Sequence, residues 1–242
     1  MKPQSNNPIS GAAYFFRGFS MLTTPGLKRF VIIPLIINII LFSLLIWSGY
    51  HFIDNLTSLL PHWLHWLNWL VFPIFFIASS IIIIYAFTII ANLIGAPFNS
   101  FLSEKTQLVL TGKKPREDEC IKDAIKDVPR TINREWCKIK YYIPRAILLL
   151  ILFFIPVVNI IAGILWFVFG CWMMSIEYVD YPMDNHKIPF KDLHRYLRKH
   201  CLMSFGFGLT VAVISMIPII NFIVMPAAVI GATIMYLDHQ GQ

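Results

Sequence analysis

The segment Thr23-Thr24-Pro25-Gly26-Leu27-Lys28-Arg29 brings together the groups that hold an oxyanion at the start of a helix. A polar residue followed by proline in the first turn marks a helix start. Gly26 has no side chain to shield its N–H, so an anion can come close to the backbone there. The free N–H groups of a first turn and the positive end of the helix dipole both favour negative charge. Lys28 and Arg29 add two cations, and Arg29 carries a planar fork that meets a tetrahedral oxyanion with paired hydrogen bonds. The plainer reading is a capped helix with two cations that orient it in a membrane. Gly26, Leu27, Lys28 and Arg29 are thus the candidate anion-binding residues.

A second set could line an anion path. Asn38, Asn92, Asn159 and Asn221 offer neutral amide donors inside apolar stretches, with Asn99, Arg130 and Arg134 as further candidates. The same asparagines would serve equally well as hydrogen-bonding glue between helices. Phe30 to Tyr50 and Leu70 to Asn99 contain no Asp, Glu, Lys, Arg or His. A proton-coupled carrier keeps such a group at depth, so the pattern argues against proton relay. Neither a P-loop nor a His-Glu-x-x-His or Gly-x-Ser-x-Gly motif occurs, which removes a nucleotide motor and the familiar hydrolases. Asp180 to Lys187 has the polar look of a catalytic stretch but no nucleophile beside it. Pro182 and Pro189 make it a structural loop. His62 and His65 share a helix face, yet two ligands do not make a metal site. The cysteines, Cys120, Cys137, Cys171 and Cys201, have no paired spacing and predict neither disulfide nor zinc. No cofactor is expected.

The elements that must position these residues follow from composition. Apolar residues make up 57% of the 242 and charged ones only 14%, which would leave a soluble domain with large apolar patches in water. Phe30 to Ile53 and Asn55 to Ser103 carry no formal charge and are long enough to cross a bilayer core of about 30 Å. One membrane domain over residues 1–242 accounts for the length. Met1 to Gly11 lacks the apolar run of a signal peptide. The net charge of +7 suggests nucleic acid until its placement is examined. Every Lys and Arg falls in Lys2 to Arg29, Lys105 to Arg145 or Lys187 to Lys199, and none between His51 and His62. That is a positive-inside pattern, with the N-terminus and both basic loops cytoplasmic. No nucleic-acid partner is expected.

Gly11 to Leu22 reads as a short interfacial helix. The first span runs from Leu27 to about Tyr50, and the second from about Leu70 to Ala96. Trp63, Trp66 and Trp69 form an aromatic belt at the outer interface. Ile121 to Ile139 is amphipathic, with Lys122, Lys126, Arg130, Arg134 and Lys138 as a basic stripe and Pro129 kinking or dividing the helix. An internal repeat follows: Ile155-Pro156-Val157-Val158-Asn159 returns as Ile217-Pro218-Ile219-Ile220-Asn221. The blocks around them, Ala146 to Ile176 and Leu202 to Leu237, are too long for one crossing and too short for two. Each therefore reads as a helical hairpin that enters from the cytoplasm and turns at Pro-x-x-Asn. The competing reading, two proline-kinked single crossings, would put Lys187 to Lys199 outside, against the charge rule.

Pro25 to Phe30, Ala96-Pro97-Phe98-Asn99, Asp127 to Arg130, Arg134-Glu135-Trp136 and Asp180 to Lys187 together resemble the bacterial CysZ-type sulfate permeases. Order and spacing agree from Gly11 to Leu237. Lys28 stands where the family commonly has Arg, which softens a bidentate contact without changing charge. The resemblance implies sulfate uptake across the bacterial inner membrane for cysteine biosynthesis, and a homo-oligomer in the lipid bilayer. It implies an anion site at the start of the first long helix, here Gly26 to Arg29. The implied fold is all-α and integral to the membrane, with two long transmembrane helices, shallower, half-penetrating hairpins and cytoplasmic amphipathic helices. A donor-only site also suits sulfate over hydrogen phosphate, whose own O–H wants an acceptor. The alternative to a channel-like or secondary transporter is a membrane scaffold that docks a sulfur-assimilation enzyme through Ile121 to Ile139. An intramembrane enzyme lacks an acid, base or nucleophile at depth.

Overall fold

The computed structural model describes residues 5–59, 73, 74, 77, 81, 98–113 and 121–240, and among these the regular structure is all helix, with no strand. The helices are α1 (Pro8–Ser20), α2 (Lys28–Leu59), α3 (98–111), α4 (Ile121–Phe153), α5 (Val158–Asn185), α6 (Phe190–Lys199), α7 (Cys201–Ser215) and α8 (Pro218–Asp238). They group into two compact units, Met1–Lys28 with Asn99–Gln242, and Arg29–Phe98.

The unit Arg29–Phe98 holds nearly all of α2. At about 1.5 Å per residue its 32 residues measure about 48 Å, more than a bilayer core needs. Ile36, Ile39, Ile40, Ile46 and Trp47 are exposed along it. Pro73, Ile74, Ile77 and Ile81 are helical, and the three isoleucines are exposed. The rest of the expected second span, the Trp63, Trp66 and Trp69 belt, His62, His65, Asn92 and Cys120 lie outside the described residues.

In the other unit α1 starts as its sequence dictates. Pro8 sits in the first turn, and the Asn7 side chain accepts the Ser10 N–H at 2.7 Å. One face, with Gly11, Tyr14, Phe15 and Gly18, is buried against α7 and α8. A Cβ on Gly11 would stand 2.1 Å from the Met203 carbonyl oxygen, and one on Gly206 would stand 2.1 Å from that of Pro8. Backbones touch at this crossing, the packing small residues permit between membrane helices. The expectation of a helix lying at an interface therefore holds for only one face, where Ile9, Phe16 and Phe19 are exposed. The other face is core, because glycine spacing lets it dock.

Proline interrupts the helices less than the sequence suggests. α4 runs unbroken through Pro129 and Pro144, so the expected division at Pro129 does not occur. The chain instead turns at 154–157, beside Pro156. There Val157 adopts φ 72°, a region that a β-branched residue seldom enters. α4 and α5 then lie antiparallel: Phe153 meets Trp166, Tyr142 stacks on Phe169, and the Trp172 indole N–H donates to the Tyr141 hydroxyl. The second repeat turns at 216–217, immediately before Pro218.

Asp180 to Asn185, expected as a loop, is the end of α5 with Pro182 inside the helix. Side-chain ties on both flanks of the proline outweigh its missing N–H. Only 186–189 is a link, and the basic stretch after it forms α6, whose Leu193 and Leu197 are buried one turn apart. Among the described residues one helix is by itself long and apolar enough to cross a membrane, Val158–Asn185, with 22% of its most apolar window buried. Phe154 at the turn below it is 81% exposed. Apolar surface left open on this scale has lipid as its natural solvent.

Candidate functional site

At the helix start the backbone does something specific. Gly26 has φ +95°, a left-handed conformation that side chains disfavour. A Cβ there would meet only Val109 Cγ2, at 3.9 Å, so conformation and not crowding calls for glycine. The Leu27 and Lys28 N–H groups both donate to the Thr24 carbonyl, at 3.1 and 3.3 Å. Helix α2 begins only at Lys28, and Pro25 lies in the turn ahead of it and not in its first turn. Two N–H groups assumed free are therefore engaged.

Leu27 is 0% exposed and acts as the anchor of the turn. Gly26, Lys28 and Arg29 are exposed. The Arg29 guanidinium lies 5.1 Å from the Phe30 ring centroid, a contact that steadies the side chain and leaves its edge donors open. Neither Lys28 nor Arg29 meets a carboxylate among the described residues.

The second cluster is built between α4 and α5 from spacing-four residues on both helices. Arg134 Nε donates to Asp180 Oδ1 at 2.6 Å, and its Nη1 reaches Asp184 Oδ1 at 3.3 Å and the Ile188 carbonyl. One turn on, Lys138 Nζ meets Asp180 Oδ2 at 2.9 Å, Glu135 at 2.9 Å and Glu177 at 3.1 Å. Asp180 thus bridges two buried cations. Burial alone would lower the Lys138 pKa, but Asp180, then Glu177 and Glu135, hold the proton on to well above the ordinary lysine range.

The web extends to α3. Asn99 Nδ2 donates to the Tyr181 hydroxyl at 3.2 Å, and Tyr181 donates to Glu177 at 3.3 Å. Ser100 and Asn185 exchange two hydrogen bonds, at 2.7 and 3.0 Å, while His186 Nε2 faces Gln107 Oε1 at 2.8 Å. This polar stretch is therefore structural, as its lack of a nucleophile suggested. The basic stripe on α4 was read as orienting charge, and for Arg134 and Lys138 that is revised. Both are committed to carboxylates on α5.

The remaining candidates are scattered. Asn159 and Asn221 occupy matching places, each donating its backbone N–H to the residue four back, Ile155 and Ile217, at 3.1 and 2.9 Å. Both side chains are exposed and make no hydrogen bond among the described residues. Asn38 lies within α2 and Arg130 within α4, and their side chains are outside what the structure describes. Sequence reasoning missed Asp180, Asp184 and Glu177 as partners of the stripe. The Asp180, Asp184 spacing of four was the available signal.

Known proteins match nearly the whole chain. Residues 14–226 match the family described as Sulfate transporter CysZ/Etoposide-induced protein 2.4. A protein of Salmonella typhimurium named Sulfate transporter CysZ is 45% identical over 236 residues, covering 96% of this chain and 93% of the relative. One of the same name from Pseudomonas aeruginosa is 40% identical over 238 residues, covering 97% of each.

Proposed function

This chain belongs to the sulfate transporter CysZ/etoposide-induced protein 2.4 family, and from that premise we propose that it takes sulfate up across a bacterial inner membrane. It is a transporter and not an enzyme. Relatives matched over nearly their whole length carry the sulfate transporter name, and the imported sulfate would feed cysteine biosynthesis. The route is channel-like or that of a secondary transporter, without a nucleotide motor.

The observation that carries the reading is the turn before α2. Gly26 at φ +95° presents an exposed backbone beside Lys28 and Arg29, two exposed cations that no described carboxylate neutralises. An arriving sulfate meets donors there and no competing anion. Leu27, buried, holds the turn in place. Asn38, Asn92, Asn159 and Asn221, with Asn99, Arg130 and Arg134, are the further candidates for an anion path. Arg134 and Asn99 contribute by shaping the α3–α5 web, where Arg134 holds Asp180 and Asn99 donates to Tyr181.

The chain forms a single membrane domain. Leu27 to about Tyr50 and about Leu70 to Ala96 are the two long spans. The apolar blocks Ala146 to Ile176 and Leu202 to Leu237 are hairpins that penetrate about half the bilayer from the cytoplasmic side, with termini and basic segments inside. The support is the placement of cations in the sequence and the exposed apolar residues at the turn near Pro156. Such hairpins need cover for their turns, which a homo-oligomer in the bilayer supplies. Growth of a bacterial strain lacking sulfate uptake, supplied with this gene on limiting sulfate, tests the function. Rescue is expected, and no rescue by a protein shown to be in the membrane would overturn it.

A further inference from the structure

A cleft of about 910 Å³ opens between α4 and α6, and of the cations that line it the transport reading uses only Arg134. Arg134, Arg145, Lys187, Lys191, Arg195 and Arg198 line it, and among the described residues no carboxylate does. Arg195 is answered by Asp192 at 3.0 Å. Arg145 sits 3.7 Å over the Tyr141 ring and donates to the Tyr141 carbonyl, so its position is fixed without neutralising its charge. The Tyr141 ring packs 4.2 Å from that of His194.

An independent observation singles the cleft out. Arg134 is 7% exposed and uses Nε and Nη1 on α5 and the link after it, but its Nη2 is buried with no partner among the described residues. His194 likewise buries Nε2 without a partner. An unsatisfied buried donor costs about 1–3 kcal/mol, and more when charged. Arg145, Lys191 and Arg198, which meet no carboxylate among the described residues, add mutual repulsion, and the His194 pKa is lowered, by burial first and then by Arg198 and Arg145. A basic face made only to orient the chain would extend its cations into water. Here one guanidinium is buried with a donor to spare.

We infer that this cleft is an oxyanion-binding site, separate from the turn before α2, which takes a tetrahedral sulfate or phosphate group through Arg145, Lys191 and Arg198 with Arg134 behind them. The group arrives either as a free ion or as the headgroup of an anionic phospholipid. The volume exceeds what a lone ion fills, and the exposed Leu148 stands one turn on from Arg145 on the same side of α4, so both sources fit the space. The inference does not rest on transport.

The test uses the full chain, purified and delipidated in detergent, carrying Lys28→Ala and Arg29→Ala to remove the other candidate site. Arg145→Gln with Arg198→Gln is added. Both residues are exposed and outside the Arg134 web, so an unchanged melting temperature controls for folding. Titration with sodium sulfate in a calorimeter reads the free ion. Native mass spectrometry after exposure to phosphatidylglycerol against phosphatidylcholine reads the headgroup. Adding the cleft substitutions is expected to weaken one or both by at least about tenfold, the scale of one charge-assisted hydrogen bond. Loss in the first arm identifies a free ion, and loss in the second a lipid. Sulfate affinity and phosphatidylglycerol retention both unchanged, or neither ligand bound before the cleft is altered, would overturn the inference.

Discussion

Two pairs of cations in this chain stand at similar sequence signals and behave oppositely. Arg134 and Lys138 lie one turn apart on α4, and each is buried against the carboxylates of α5. Lys28 and Arg29 are adjacent at the start of α2, exposed and unanswered. A buried cation must be matched within the fold, because removing its counter-charge leaves it stranded in low dielectric. An exposed cation with no partner costs the fold little and is available to a ligand. Partnership, more than charge, separates scaffold from site.

The strongest way to break this contrast is Asp180→Asn. It removes the carboxylate that Arg134 and Lys138 share, and loss of one member of a buried pair costs about 3–5 kcal/mol. A large drop in melting temperature in detergent is expected. A fold that tolerates the change would show that the α4–α5 web is not what holds those helices. Next is Gly208→Ala, away from both cation pairs. Its Cβ would stand 1.9 Å from the Cys171 carbonyl oxygen on α5. The helices must separate, at about 1–3 kcal/mol or more, with sulfate affinity unchanged in whatever folds.

Arg29→Lys sharpens the other side. It keeps the charge but loses the fork, so sulfate affinity measured by calorimetry should fall several-fold and stability should stay put. Equal affinity would mean that the site reads charge alone. The smallest effect is that of pH. His200 is buried beside the His239 ring at 4.7 Å, and burial, then His239 and Lys199, lower its pKa from 6.5. The fold therefore favours neutral His200, and the unfolded chain takes the proton first. Its contribution is complete above about pH 6.5 and is lost as pH falls toward the lower folded value, by no more than about 1.4 kcal/mol per unit for one proton. Melting at pH 7.5 and 5.5 checks the sign. Lys138 holds its proton throughout that range.

Much of this was legible in the sequence because it is local. The apolar run after Arg29 gives α2, and the repeated Ile-Pro-x-x-Asn marks the turns at 154–157 and 216–217 within a residue or two. What was not legible is long-range. Arg134 finds Asp180 across 46 positions, and nothing near Arg134 in the chain separates it from a solvated stripe. Pro182 looked like a breaker because its local effect is strong, yet Asp180, Asp184 and Asn185 are tied to α4 and α3 and keep that turn helical. α6 was hidden by its charges, since two leucines four apart are a weak period among so many cations. At Gly26 the residue type was read correctly, but the positive φ and the Thr24 carbonyl that takes two N–H groups came only with the fold.

The most direct measurement is radiolabelled sulfate flux into liposomes carrying the purified protein, for the wild type and for Lys28→Ala with Arg29→Ala. Melting temperature is followed in parallel. At least about tenfold lower flux in the double variant, with an unchanged melting temperature, is the predicted result. Equal flux in the two proteins would contradict it, and the cations before α2 would then serve only to orient the helix.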